Sequence, residues 1–202
     1  MKNLFQNKGC LPLLILLTIL ALGATYVAST YNSIVQAEQA VERQWAQVEN
    51  AYQSRMDKTK NLLAIVEKAA EFEQETLNQV IEARAKATSV QVNASDLTAE
   101  NIQAFQNAQD QFGASLSRLL VTLERYPELK ATDAYRDFQT QYEGMENRIS
   151  TERNRFNQEV ESFNNNIVVF PKSTIASLFG ITKKEYFKSV EGADIAPDIK
   201  NM

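Results

Sequence analysis

The pattern of apolar and polar positions divides the chain into a solid block and a long periodic run. Leu11, Leu13, Leu14, Ile15, Leu16, Leu17, Ile19, Leu20 and Leu22 crowd one stretch, Gly9 to Ala37, that carries no charged side chain. A helix rises about 1.5 Å per residue, so about 20 such residues cross the ~30 Å hydrocarbon core of a bilayer. Residues 11–30 are therefore expected to form one transmembrane helix bound to the lipid bilayer, after a short cytoplasmic N-terminus at 1–10. Beyond it, Val41, Trp45, Val48, Tyr52, Met56, Leu63, Val66, Ala70, Leu77, Val80 and Ala87 recur at steps of three, four and seven. That is one face of an amphipathic helix. Residues 24–112 contain neither glycine nor proline, so a single helix is expected from near Tyr31 to about Gln91, with Thr59, Glu73 and Arg84 as polar interruptions of its seam.

Turn formers between Val90 and Asp96 then break the period, and Asp96 or Thr98 caps a second helix from about Ala99 to Tyr126. Its buried side reads Ile102, Phe105, Ala108, Phe112, Leu116, Leu119, Leu120 and Leu123, and Pro127 stops it. Thr132 or Asp133 caps a third helix with Tyr135, Phe138, Tyr142, Met145, Ile149, Phe156, Val160, Phe163 and Ile167 inward, ended by Phe170-Pro171. A short piece from Thr174 to Phe179 closes on Gly180, and the last twenty residues carry no strong period. The expected fold is all-α: an N-terminal transmembrane helix, then an extended antiparallel three- to four-helix bundle with one very long helix. The bundle takes residues 31–170, and a short helix with an irregular tail takes 171–202.

Lengths raise a packing problem. A first soluble helix of about 60 residues measures roughly 90 Å and a second of about 28 roughly 42 Å, so the second, folding back from Asn93, reaches only about Leu63. The stripe of Val41, Trp45, Val48, Tyr52 and Met56 is left without an obvious intrachain partner, at roughly 1.5–3 kcal/mol for each large side chain left in water. The tail after Pro171 and the membrane surface are each candidates to cover part of it. The expectation is a homo-oligomer joined through this membrane-proximal stalk.

Composition narrows the chemistry. Of 21 lysines and arginines only Lys2 and Lys8 precede the span, so 19 basic residues face 25 acidic ones beyond it, which argues against nucleic acid. Lys2 and Lys8 before the span, against Glu38 and Glu42 after it with Arg43 opposing them, orient the N-terminus to the cytoplasm and the bundle outside a bacterial inner membrane. Ala21-Leu22-Gly23 and Val27-Ala28-Ser29 are weak small-residue sites for the alternative, a cleaved signal peptide. The chain has no histidine and one cysteine, Cys10, a membrane-edge residue that precedes the apolar run where a lipobox would follow it. Imidazole bases, imidazole zinc ligands and E-x-x-H di-iron pairs are thereby excluded. Glu71, Glu73 and Glu75, like Glu159 and Glu161, alternate at i, i+2 and read as solvated surface. The expectation is no catalytic residue, no metal and no cofactor. Arg55, Arg84, Glu124, Glu146, Arg148 and Arg153 lie in or beside the stripes and are expected to pair between helices, while Trp45 and Tyr52 suit a partner site or plain packing equally.

The segment Leu123-Glu124-Arg125-Tyr126-Pro127-Glu128-Leu129-Lys130-Ala131 closely resembles the E-x-Y-P-x-L-K-A turn of the LemA family. Tyr31-Asn32, Trp45, Glu146-Asn147-Arg148-Ile149, Arg153 to Asn157, Phe163-Asn164, Phe170-Pro171, Ile175 to Gly180 and Tyr186-Phe187 match further family motifs in order, with phenylalanine for tyrosine at Phe156 and Phe163. Lys60 stands where relatives carry proline, so a kink there is not carried over. The resemblance implies a bacterial, membrane-anchored, all-helical protein without an established reaction, in a family whose members have been connected to envelope processes and magnetosome assembly. The expected function is a non-enzymatic scaffold or adaptor of the cell envelope. The alternatives are a ligand-sensing helical bundle and an envelope enzyme using carboxylates.

Overall fold

The computed structural model describes residues 10–69 and 72–188, and every regular element among them is helical. They are α1 (Cys10–Val66), α2 (Gln74–Ser89), α3 (Ala99–Leu123), α4 (Pro127–Lys130), α5 (Asp133–Val168) and α6 (Lys172–Leu178). Readings placed on Lys2, Lys8, the Cys10 side chain, Ala70, Glu71 and the tail from residue 189 lie outside the described residues. The chain forms two compact units. Among the described residues, one takes 10–41 with 161–183, and the other takes 42–160 with 184–188.

The second unit is a four-helix antiparallel bundle, and the reason corrects the expectation of one helix to Gln91. The α1 helix ends at Val66, 25 residues early. Glu67 still bonds to Leu63 at 2.8 Å, but Lys68 and Ala69 tighten to i−3 carbonyls at 3.2 and 3.1 Å, and Phe72 N–H closes a turn on Ala69 O at 3.1 Å. On an unbroken helix Phe72 would point away from the apolar stripe. The break buries it with its ring 4.9 Å from that of Tyr126. Glu73 beside the break pairs with Arg125 at 2.9 Å, an exposed pair that adds little. A few lost backbone bonds at about 1 kcal/mol each are outweighed by covering a stripe whose large side chains are each worth about 1.5–3 kcal/mol.

The early reversal lays α2 back along α1, where the Thr88 hydroxyl meets Met56 Sδ at 3.3 Å and the Trp45 indole N–H reaches Val92 O at 3.3 Å. The α3 helix returns beside α2, with the Lys86 ammonium on Gln111 at 3.0 Å. The α5 helix then runs antiparallel to α1, with Glu146 against Arg55 and Glu152 against Gln44. Trp45, Val48 and Tyr52 are therefore buried within the chain, as is Val41. This removes the physical reason for a homo-oligomer through that stripe, because the side chains assigned to it are already covered.

The other helices follow the sequence closely. Thr98 caps α3 by accepting from Asn101 N–H, and the Thr132 hydroxyl accepts from Tyr135 N–H at the start of α5. Pro127 does not stop α3, which ends at Leu123. It opens the single turn of α4, where its missing N–H costs nothing. Leu129 in that turn is buried. Leu129→Asp should cost about 2–4 kcal/mol, since it strands a charge in the core; denaturant melting of the detergent-solubilised chain reads this, and an unchanged midpoint would make the turn a surface loop.

The first unit holds the N-terminal part of α1, the end of α5 and α6. Ile34, Phe163, Ile167, Ile175 and Ala176 are buried there, and Tyr31 meets Phe179 with ring centroids 4.5 Å apart. The α6 helix ends in a Schellman motif: Gly180 adopts φ 69°, its N–H bonds to Ser177 O at 3.2 Å, and Ile181 N–H bonds to Ala176 O at 2.9 Å. Glycine takes that left-handed conformation without the strain a side chain would bring.

Candidate functional site

Two constellations occupy the interior of the four-helix unit. Arg55 on α1 is the first. Its Nη1 meets Glu146 Oε1 of α5 at 3.2 Å, and its Nη2 donates to the Gln109 backbone carbonyl of α3 at 2.8 Å and to Gln109 Oε1 at 3.1 Å. The guanidinium carbon lies 5.2 Å from the ring centroids of Tyr52 and Phe112. Gly113 gives it room, for a β-carbon there would stand 3.1 Å from Nη1. A glycine inside α3 costs about 1 kcal/mol relative to alanine, and the arginine beside it is the reason it is tolerated. Thr59, which interrupts the apolar stripe, turns its hydroxyl to Arg55 O at 2.7 Å and so satisfies itself within the helix.

Of the other residues expected to pair, Arg153 lies 4.0 Å from Asp110, while Glu124 and Arg148 are exposed. Arg84 is half-buried, and its Nε, the Arg55 Nε and the Tyr52 hydroxyl have no hydrogen-bond partner within the protein. Burial pushes the Tyr52 phenol above its ordinary pKa, with the charges of Arg153 and Arg55 acting against it. An unexpected buried carboxylate, Glu152, is held by Gln44 at 2.8 Å and Arg155 at 3.2 Å.

Trp45 is the centre of the second constellation. Its indole, fully buried, meets Phe105 and Phe156 edge-on at 5.1 and 5.5 Å, and stacks on Phe187 at 5.7 Å with 12° between the planes. Phe187 belongs to an extended strap, and side-chain amides grip its backbone as a neighbouring strand would. Asn157 donates to Phe187 O at 3.1 Å and accepts from its N–H at 2.9 Å, and Gln106 does the same for Lys188 at 2.9 and 3.3 Å. Arg153 covers the Phe187 ring at 4.9 Å and donates to Lys188 O at 3.0 Å. The sequence presents residues 171–202 as a short helix with an irregular tail, a candidate to cover part of the apolar stripe; Phe187 on Trp45 does so, while the amide grip on its backbone was not foreseen. The usable signals were Tyr186-Phe187 and the polar Gln106 and Asn157 beside apolar stripes.

A surface cleft of about 570 Å³ opens beside this aromatic box of Trp45, Phe105, Phe156 and Phe187, lined by Glu49, Tyr52, Met56, Phe105, Gln109 and the segment 90–93 among others. Burial raises the Glu49 carboxyl pKa, and the nearby Trp45 indole dipole works against it. A carboxyl raised in the folded chain favours folding while it is protonated, and that advantage is lost as pH rises through the raised value. Glu49→Gln should therefore stabilise the chain at neutral pH, and the gain should vanish toward pH 4, as read by melting temperature against pH. A gain that persists unchanged in acid would rule out titration as its cause.

Glu49 is the one carboxylate among the residues lining the cleft, and among the described residues no three histidine, cysteine or acidic side chains gather to hold a metal. The polar groups with several partners, Arg55, Gln109, Asn157 and Glu152, are engaged in joining one helix or strap to another. Fold and interior together define a class: a helical bundle following an apolar N-terminal helix, with its buried polar chemistry devoted to fastening elements together. Residues 44–200 match the family model of the LemA family, and the chain belongs to that family. Over 92 residues it is 32% identical to magnetosome proteins MamQ 2 and MamQ 1 of Paramagnetospirillum magneticum, covering 46% of this chain and 34% of each relative. Over 100 residues it is 32% identical to magnetosome protein MamQ of Magnetospirillum gryphiswaldense, covering 48% of this chain and 37% of the relative. The chain thus spans about a third of the length of the curated relatives it matches.

Proposed function

We propose that this protein is a non-enzymatic scaffold of the bacterial cell envelope, held in the inner membrane by one span, with its N-terminus cytoplasmic and its bundle outside. The observation that carries the reading is the apolar part of α1. Its most apolar window has a mean hydropathy of 2.2 and none of its side chains are buried by the rest of the chain. Leucines and isoleucines left uncovered in such density require an apolar surrounding, and a bilayer supplies one. The lysines before the span and the acids after it support the orientation. The interior supports the scaffold role, since its charges are spent on internal fastening and leave the bundle a stable surface for other proteins. The relatives named as magnetosome proteins fit a role among organised assemblies.

Crosslinking in intact cells followed by purification of the full chain tests the role, and a reproducible set of envelope proteins is the expected result. Recovery of the chain without partners at every crosslinker length would overturn it. A reporter that works only outside the cytoplasm, fused after Met202, should be active, and activity of a cytoplasmic reporter there would reverse the orientation. The cleft with Glu49 favours one second reading, a ligand-sensing bundle, for which a small molecule that raises the melting temperature of the wild type and not of Glu49→Gln would speak.

A further inference from the structure

Among the described residues, the large apolar side chains exposed outside the span are not scattered evenly. Ile81, Val121 and Tyr186 stand apart from one another along the chain, while Val168, Val169, Phe170, Leu178 and Phe179 belong to one short corner where α5 gives way to α6. Phe170 is 80% exposed and Leu178 77%, and neither serves the core. One ring contact and one shared pocket set the level of this corner along α1. The Phe179 ring meets Tyr31, and Tyr26 shares a surface pocket with Val169, Phe170, Pro171 and Lys172. Tyr26 lies inside the apolar stretch, four residues or about 6 Å before residue 30.

We infer that the corner from Val168 to Phe179 is a membrane foot, seated in the headgroup and acyl boundary of the leaflet that α1 leaves. The inference rests on the reading of residues 11–30 as a span. The occupant follows from continuity, because the exposed corner adjoins the exposed end of the apolar helix and so meets whatever surrounds that end. A depth of about 6 Å falls within the 5–10 Å to which amphipathic segments sink at an interface. The side chains suit that depth. Phe170, Phe179, Tyr26 and Tyr31 form an aromatic set at the edge of the span, and Lys172, bonded to Asn166, adds a cationic tip on an apolar stem to the same corner, a pairing suited to an interface.

Single cysteines test the foot in the full-length chain in a Cys10→Ser background, spin-labelled and reconstituted in nanodiscs of phosphatidylethanolamine and phosphatidylglycerol. Phe170→Cys and Leu178→Cys report the foot, Leu16→Cys the span, and exposed Glu161→Cys the aqueous side. The expected result is that positions 170 and 178 favour oxygen over a water-soluble nickel relaxant, as position 16 does, with the ratio at least several-fold above that at 161. Positions 170 and 178 tracking 161 while 16 stays in lipid would overturn the foot alone. All four positions tracking water would overturn the span and the foot with it. Spin–spin broadening at 170 or 178 that disappears on dilution with unlabelled chain would assign the corner to a second copy and overturn the lipid assignment.

Discussion

Arg55→Ala is expected to destabilise the chain by about 3 kcal/mol, with loss of the bundle before loss of helix content. Arg55 is almost wholly buried while Glu146 is partly open to solvent, so the loss sits at the lower end of the 3–5 kcal/mol typical of breaking a buried pair. The Gln109 carbonyl and side chain also lose their donor, and the arginine stem leaves a void beside Gly113. A double-mutant cycle with Glu146→Ala, read by denaturant melting, should return a coupling of about 1–2 kcal/mol. Zero coupling would mean that Arg55 acts through Gln109 and packing alone. Arg55→Met with Glu146→Gln should recover most of the stability lost by Arg55→Ala, because an apolar side chain of similar length replaces a charge whose desolvation was itself costly.

The second large effect is expected at Trp45. Truncating a fully buried tryptophan to alanine costs about 3–5 kcal/mol in general, and here three rings lose a neighbour together. Because Phe187 stacks on the indole, Trp45→Ala should also loosen residues 184–188, seen as faster hydrogen exchange at the Phe187 and Lys188 amides. Asn157→Ala should loosen the same amides with less loss of global stability. Unchanged exchange at these amides in Trp45→Ala would show that the side-chain amides hold the strap unaided.

Most of this architecture was legible in the sequence wherever a long period and a clear stop coincide. The inward faces of α3 and α5 run as expected from Ile102 to Leu123 and from Tyr135 to Ile167, with Leu120 and Tyr142 only half-buried. The break after Val66 was not legible from punctuation, since no glycine or proline marks it. Its marks were subtler: Phe72 out of phase with the stripe, and Glu73 and Glu75 where the positive end of a new helix favours acids. The stripe from Val41 to Met56 was expected to lack an intrachain partner because α1 was read 25 residues too long, and the earlier reversal covers it within the chain. Of the interior chemistry, the Arg55–Glu146 pair was anticipated by residue type and position. The tail after Pro171 was anticipated as partial cover for the stripe, but the grip on Phe187 and Lys188 was not, because a segment held by side-chain amides has no period to read.

The aromatic box joins Trp45 to Phe187, two residues separated by most of the chain. At synthesis rates of about 5–20 residues per second, roughly 140 residues and so about 7–28 s pass between the emergence of the tryptophan and of the ring that caps it. During that interval the α2–α3 hairpin can form from nearby sequence, while the indole and its two edge-on phenylalanines wait in water. The cluster around Trp45 is therefore the last part of the core that chain growth allows to close.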